Sequence, residues 1–119
     1  MAKILVVEDD SMMREYVAVL LRSAGYAVQT AEDGVAGGMA VLQERPDLII
    51  SDVKMPRLNG FNFIAAMREL DVAGVPIIFL TSHEDGEEKG KDLGAIGYLS
   101  KPINAEKLLS LVATALPAS

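Results

Sequence analysis

The run Leu48-Ile49-Ile50-Ser51-Asp52-Val53-Lys54-Met55-Pro56 decides the fold. Its first three residues are apolar without alternation, the pattern of a strand covered on both faces and therefore of a parallel sheet. An acid, Asp52, stands where that strand should end, and Met55-Pro56 marks a turn beyond it. Working outward, Ile4-Leu5-Val6-Val7 and Ile77-Ile78-Phe79-Leu80 repeat the continuous apolar pattern. Ala27-Val28-Gln29-Thr30-Ala31 and Ile96-Gly97-Tyr98-Leu99 are less apolar and suit strands nearer an edge.

Helical patterns separate these runs. Met13, Val17, Leu20 and Ala24 keep helical spacing in the first, which Gly25 should stop from the C′ position. The second carries Gly37-Gly38 in its middle, a cost of roughly 1 kcal/mol per glycine against alanine unless packing needs the space. Phe63, Met67 and Leu70 form the stripe of the third helix, and Leu108, Val112 and Ala115 that of the last. The fourth, roughly Glu84 to Leu93, contains Gly86 and Gly90 and few large apolar residues, so it should be held loosely. Five strand-helix pairs in strict alternation predict an α/β fold, a doubly wound parallel sheet with helices on both faces and right-handed crossovers. At 119 residues the chain has the usual size of one domain, expected to span residues 1–119.

Half of the residues are hydrophobic and 24% are charged, an ordinary globular composition. The net charge of -6 argues against nucleic acid as a direct partner and favours cations and basic surfaces. The absence of cysteine excludes disulfides and thiolate metal sites. Ile4 to Val7 is too short for a secretory signal, and no later apolar run is long enough to span a bilayer. A cytoplasmic protein without membrane insertion is the expectation.

In such sheets ligands bind beyond the carboxyl ends of the strands. The residues there are Glu8-Asp9-Asp10 after the first strand, Asp52 after the third, Thr81-Ser82 after the fourth and Lys101-Pro102 after the fifth. Each has an ordinary structural explanation. Asp10 or Ser11 suits the N-cap of the first helix and is left out of the site. Thr81 with Glu84 makes a capping box, Lys101 alone would be a solvated lysine, and Tyr98 alone a half-buried strand aromatic. Their joint occurrence at one sheet edge favours a site.

Two carboxylates about 5 Å apart repel by roughly 3 kcal/mol at an effective dielectric near 20, so Glu8, Asp9 and Asp52 together call for compensation beyond Lys101. A hard dication with oxygen ligands supplies it, and Mg²⁺ with Asp9 and Asp52 as direct ligands fits best. A carboxylate can also act as the nucleophile that forms an aspartyl phosphate. Asp52 would take the phosphoryl group, Lys101 would hold its oxygens, and the Thr81 hydroxyl would donate a hydrogen bond to one of them.

At these residues the sequence resembles the receiver domains of two-component response regulators, of the chemotaxis-regulator kind, along essentially the whole chain. The matching elements are the acids ending in Glu8 and Asp9, the run Asp52-Val53-Lys54-Met55-Pro56 through Gly60, Thr81-Ser82, and Tyr98 followed by Lys101-Pro102. The resemblance implies a flavodoxin-like (βα)5 three-layer sandwich with strand order 2-1-3-4-5. It implies that Asp52 is the phosphoacceptor, that the Lys54 backbone carbonyl joins Asp9 and Asp52 on Mg²⁺, and that Glu8 acts through water. Thr81 and Tyr98 would couple phosphorylation to a change in the face made by helix four, strand five and helix five. The peptide before Pro102 would be cis, and Lys54 and His83 would set the lifetime of the phosphorylated form. The implied partners are a histidine kinase or histidine phosphotransfer protein as donor and a downstream target protein, with a phosphorylation-dependent dimer left open. The chain would be a phosphorelay switch that catalyses its own phosphorylation and dephosphorylation, without turnover of a separate substrate.

Two rival classes share parts of this pattern. A flavodoxin-like flavin binder needs small donors after the first strand, where acids stand here. A haloacid-dehalogenase-type phosphatase needs a second Asp two residues after its nucleophile, where Lys54 stands. A receiver that serves only as a binding module would lack some of these residues, and none is missing.

Overall fold

The computed structural model describes residues 2–53, 60–69, 74–81 and 95–116. Five strands, β1 (Lys3–Val7), β2 (Ala27–Ala31), β3 (Leu48–Asp52), β4 (Ile77–Thr81) and β5 (Ala95–Ser100), form one sheet. Every neighbouring pair is parallel, and the order is β2-β1-β3-β4-β5. The helices are α1 (Ser11–Ser23), α2 (Gly34–Gln43), α3 (Gly60–Glu69) and a last helix, Ala105–Ala115. The expected fourth helix, Glu84 to Leu93, lies outside the described residues.

Alternate strand residues feed two cores, one on each face of the sheet. Leu5, Val7, Ile49, Ile77 and Phe79 pack with Ala40 and Val41 of α2 and Phe63 and Ile64 of α3. Ile4, Val6, Leu48, Ile50, Ile78 and Leu80 pack with Val17 and Leu21 of α1 and Leu108 and Val112 of the last helix. This is the expected three-layer sandwich. The continuous apolar runs are its three central strands, and the two weaker runs are its edges.

Helix ends follow the sequence. Asp10 caps α1, its Oδ1 accepting from the backbone N–H of Met12 at 2.9 Å and of Met13 at 3.3 Å. Gly25 has φ +97° just past the Ala24 C-cap, a left-handed conformation that favours glycine. One expectation needs correction: Ala24 is exposed, and the buried stripe of α1 is Val17, Ala18 and Leu21, with Met13 and Leu20 at its margin. The helix ends before Ala24 can turn inward. Leu70 lies outside the described residues.

Gly37 explains its own presence inside a helix. A Cβ at this position would meet Val7 Cγ2 at 3.0 Å and Phe63 Cζ at 3.1 Å. Both neighbours are fully buried and have little room to retreat. The glycine brings α2 close to the sheet, and that packing offsets its poor helix propensity.

Candidate functional site

The carboxyl ends of β1, β3 and β4 meet where the strand order reverses, with β1 and β3 adjacent and their crossovers departing to opposite faces. Glu8 follows β1 directly; its N–H donates to Ala31 O of β2 at 3.0 Å, which fixes the chain as it leaves the sheet. Asp52 and Thr81 are the last residues of β3 and β4 rather than the first beyond them. Each ladder extends that far: Asp52 pairs with Leu80, and Thr81 with Ser100. Lys101 follows β5, and its N–H donates to Thr81 O at 2.9 Å. The Lys101–Pro102 peptide is cis, as the resemblance implied.

Glu8, Asp9 and Asp52 each bring a carboxylate oxygen within 4.8 Å of the others. Glu8 is fully buried and Asp52 is 3% exposed, whereas Asp9 faces solvent. Lys101 reaches in from β5: its Nζ donates to Asp52 Oδ2 at 3.0 Å and lies 3.0 Å from Glu8 Oε1. The second contact has ion-pair distance without hydrogen-bond angles, so Glu8 Oε1 is a buried acceptor with no hydrogen-bond partner among the described residues. An unsatisfied buried carboxylate oxygen beside two further acids is a donor set suited to a hard cation and its water ligands.

Burial, reinforced by the Asp52 and Asp9 carboxylates and opposed by Lys101, pushes the Glu8 carboxyl from 4.5 up to about 8. For Lys101, burial pulls the ammonium down, but Glu8 and Asp52 outweigh it and hold its pKa above the usual lysine value. The unfolded chain ionises Glu8 near pH 4.5 and the folded chain only near 8, so the folded form binds the extra proton across that window. Rising pH removes this contribution to stability, and the loss is complete above about 8. In chelator-treated protein the wild-type unfolding midpoint should therefore fall relative to that of Glu8→Gln as pH rises from about 4.5 to about 8. Equal slopes for the two proteins in a pH series of thermal melts would show that Glu8 is ionised in the fold.

The expected site residues Glu8, Asp9, Asp52 and Lys101 come together. Thr81 is 3% exposed at the end of the strand beside Asp52. Tyr98 is half-buried on β5, its ring stacked on Phe79 at 6.1 Å between centroids and 25° between planes. Lys54, Ser82, His83 and the proposed Thr81–Glu84 capping box lie outside the described residues, Thr81 itself excepted. Arg14 was not foreseen: its Nη1 donates to the Glu8 carbonyl oxygen at 2.8 Å, tying the first turn of α1 to the acidic loop. Only its place one turn into the helix that leaves the acids could have signalled it.

The model of the response regulator receiver domain matches residues 4–113. The chain belongs to this family. The receiver domain is 34% identical to the protein PilH of Pseudomonas aeruginosa, covering 94% of this chain and 95% of that protein. It is 36% identical to the DNA-binding dual master transcriptional regulator RpaA of Synechocystis, covering 94% of this chain but 48% of RpaA. It likewise spans about half the length of the response regulator MprA of several mycobacteria. A solved structure, the chemotaxis protein CheY4 of Vibrio cholerae, superposes with a TM-score of 0.91 at 41% identity, covering 98% of this chain and 99% of that one. The protein is thus a receiver domain of two-component signalling with an intact acidic pocket. Among the described residues no helix is long and apolar enough to cross a membrane.

Proposed function

We propose that this receiver takes a phosphoryl group onto Asp52 from the phosphohistidine of a histidine kinase or phosphotransfer protein. The observation that carries the reading is one buried carboxylate at the sheet's switch point, hydrogen-bonded to Lys101 at 3.0 Å, with Glu8 and Asp9 alongside. An oxygen of Asp52 forms the new P–O bond as the donor's P–N bond breaks, and the freed imidazole takes up a proton. Asp9, Asp52 and the Lys54 backbone carbonyl would hold Mg²⁺, with Glu8 acting through water; when bound, the ion neutralises charge on the transferring group. Lys101 holds a phosphoryl oxygen with its ammonium, and the Thr81 hydroxyl donates to another.

The output reading rests on the resemblance to the receiver family. Thr81 would move toward the phosphoryl group while Tyr98 turns inward, remodelling the face made by the fourth helix, β5 and the last helix for a target protein. The domain spans residues 1–119, acts in the cytoplasm and turns over no separate substrate. Its test is incubation with acetyl phosphate or phosphoramidate, with and without Mg²⁺, followed by intact-mass measurement. One phosphoryl group should be gained in the presence of Mg²⁺ only; no gain under either condition would overturn the reading.

A protein donor must also be held beside the crevice. On α1, which begins directly after the acids, Met12, Tyr16 and Val19 are 82%, 44% and 49% exposed at helical spacing. An exposed apolar stripe in that place suits a helical donor protein. Tyr16→Glu should therefore slow phosphotransfer from a phosphohistidine protein about tenfold or more, the loss of a central aromatic contact, while acetyl phosphate labels the variant at the wild-type rate. Equal slowing with both donors would place the lesion in the site rather than in docking.

A further inference from the structure

Arg14 stands where helix chemistry disfavours a cation. It lies in the first turn of α1, which contains no acid, and the positive end of the helix dipole repels a guanidinium there. Glu8, Asp9, Asp10 and Glu15 are its neighbours in sequence, yet among the described residues it forms no ion pair. Its Nη1 instead donates to the Glu8 carbonyl oxygen at 2.8 Å, six residues back along the chain. Such a charge-assisted bond is stronger than a neutral one and offsets the unfavourable dipole.

The bond fixes the peptide group that joins Glu8 to Asp9. Other anchors flank it: the Glu8 N–H donates to Ala31 O at 3.0 Å, the Asp10 N–H to Glu8 Oε2 at 3.4 Å, and the Arg14 N–H to Asp10 O at 2.9 Å. Burial holds the Glu8 side chain, but Asp9 faces solvent, so burial does not set its direction. The backbone on either side must do so. We propose that Arg14 is a positioning residue for Mg²⁺: by clamping the Glu8 carbonyl it keeps the Asp9 carboxylate aimed at the oxygens of Glu8 and Asp52, which lie within 4.8 Å. It touches neither ion nor phosphoryl group. The inference rests on the reading of Asp9 and Asp52 as Mg²⁺ ligands given above, and ordering a ligand in advance removes that cost from metal binding.

Charge and position predict opposite signs. A guanidinium near a dication repels it, so on electrostatic grounds alone its removal tightens Mg²⁺ binding. Loss of a clamp weakens binding instead, by about tenfold, the lower end of the range for groups that orient metal ligands. Titration calorimetry with magnesium chloride on wild-type, Arg14→Met and Arg14→Lys protein separates the two. Arg14→Met keeps the apolar stem and removes the charge and the donors, whereas Arg14→Lys keeps the charge and an N–H donor. Arg14 is half-buried on a helix surface, and a thermal melt in chelator will establish that its variants fold. Arg14→Met should bind Mg²⁺ about tenfold more weakly than wild type, with Arg14→Lys between them. Its labelling by acetyl phosphate should need about tenfold more Mg²⁺ to reach half its maximal rate. Equal or tighter Mg²⁺ binding by Arg14→Met, or a loss in Arg14→Lys as large as in Arg14→Met, would overturn the proposal and leave the Mg²⁺ reading standing. No Mg²⁺ binding by the wild-type protein would overturn both.

Discussion

Asp52→Asn is expected to abolish phosphoryl gain from acetyl phosphate while the fold persists. Asparagine keeps the shape of the side chain, but its amide is not a nucleophile toward phosphorus, so chemistry is lost without a cavity. The same change removes one of three carboxylates gathered within 4.8 Å. At about 5 Å and an effective dielectric near 20, each like-charge pair costs roughly 3 kcal/mol when both partners are ionised. Because Glu8 keeps its proton below about pH 8 and Asp52 also pairs with Lys101, the melt of metal-free Asp52→Asn should shift little from wild type, and Mg²⁺ should stabilise it less. Undiminished labelling, read by intact mass, would move the phosphoacceptor elsewhere.

Lys101→Ala has the second-largest expected effect. Its ammonium is the cation shared by the buried Glu8 and Asp52 carboxylates, at 3.0 Å from each. Stripping one partner from a fully buried pair costs about 3–5 kcal/mol. The Lys101 side chain is 31% exposed, so screening by solvent reduces that figure to about 1–2 kcal/mol here. Phosphorylation should slow by about 100-fold, the scale for loss of one fixed donor to transition-state charge. Chemical denaturation in chelator and the labelling rate check the two effects separately. Wild-type values in both would return Lys101 to an ordinary surface lysine.

Much of this was legible because continuous apolar runs have few ways to be buried. Leu48-Ile49-Ile50 and its two counterparts became central strands, and the acids that follow them converged because parallel strands place all their carboxyl ends on one side. Strand ends were less legible. Asp52 and Thr81 belong to their strands because ladder hydrogen bonds reach one residue past the last apolar side chain, and hydropathy does not report backbone pairing. Ala24 was misplaced because spacing alone does not say where a helix stops. The Arg14 contact depends on how far a flexible side chain folds back, which residue spacing does not encode. Gly37 was marked as costly with packing as its only justification, and its contacts with Val7 and Phe63 supply that justification.

Burial along the sheet is uneven. β3 and β4 are buried at every residue and β1 at all but Lys3, whereas β2 and β5 are largely half-open. Amide hydrogens in the three central strands consequently exchange with solvent only when the whole sheet comes apart, while those at the margins are released by smaller openings. Deuterium uptake at Leu5, Ile50 and Phe79 thus amounts to a built-in gauge of global unfolding free energy, readable in native buffer without denaturant. Uptake along β5, measured in the same spectrum, registers local loosening beside Tyr98 separately from any change in total stability.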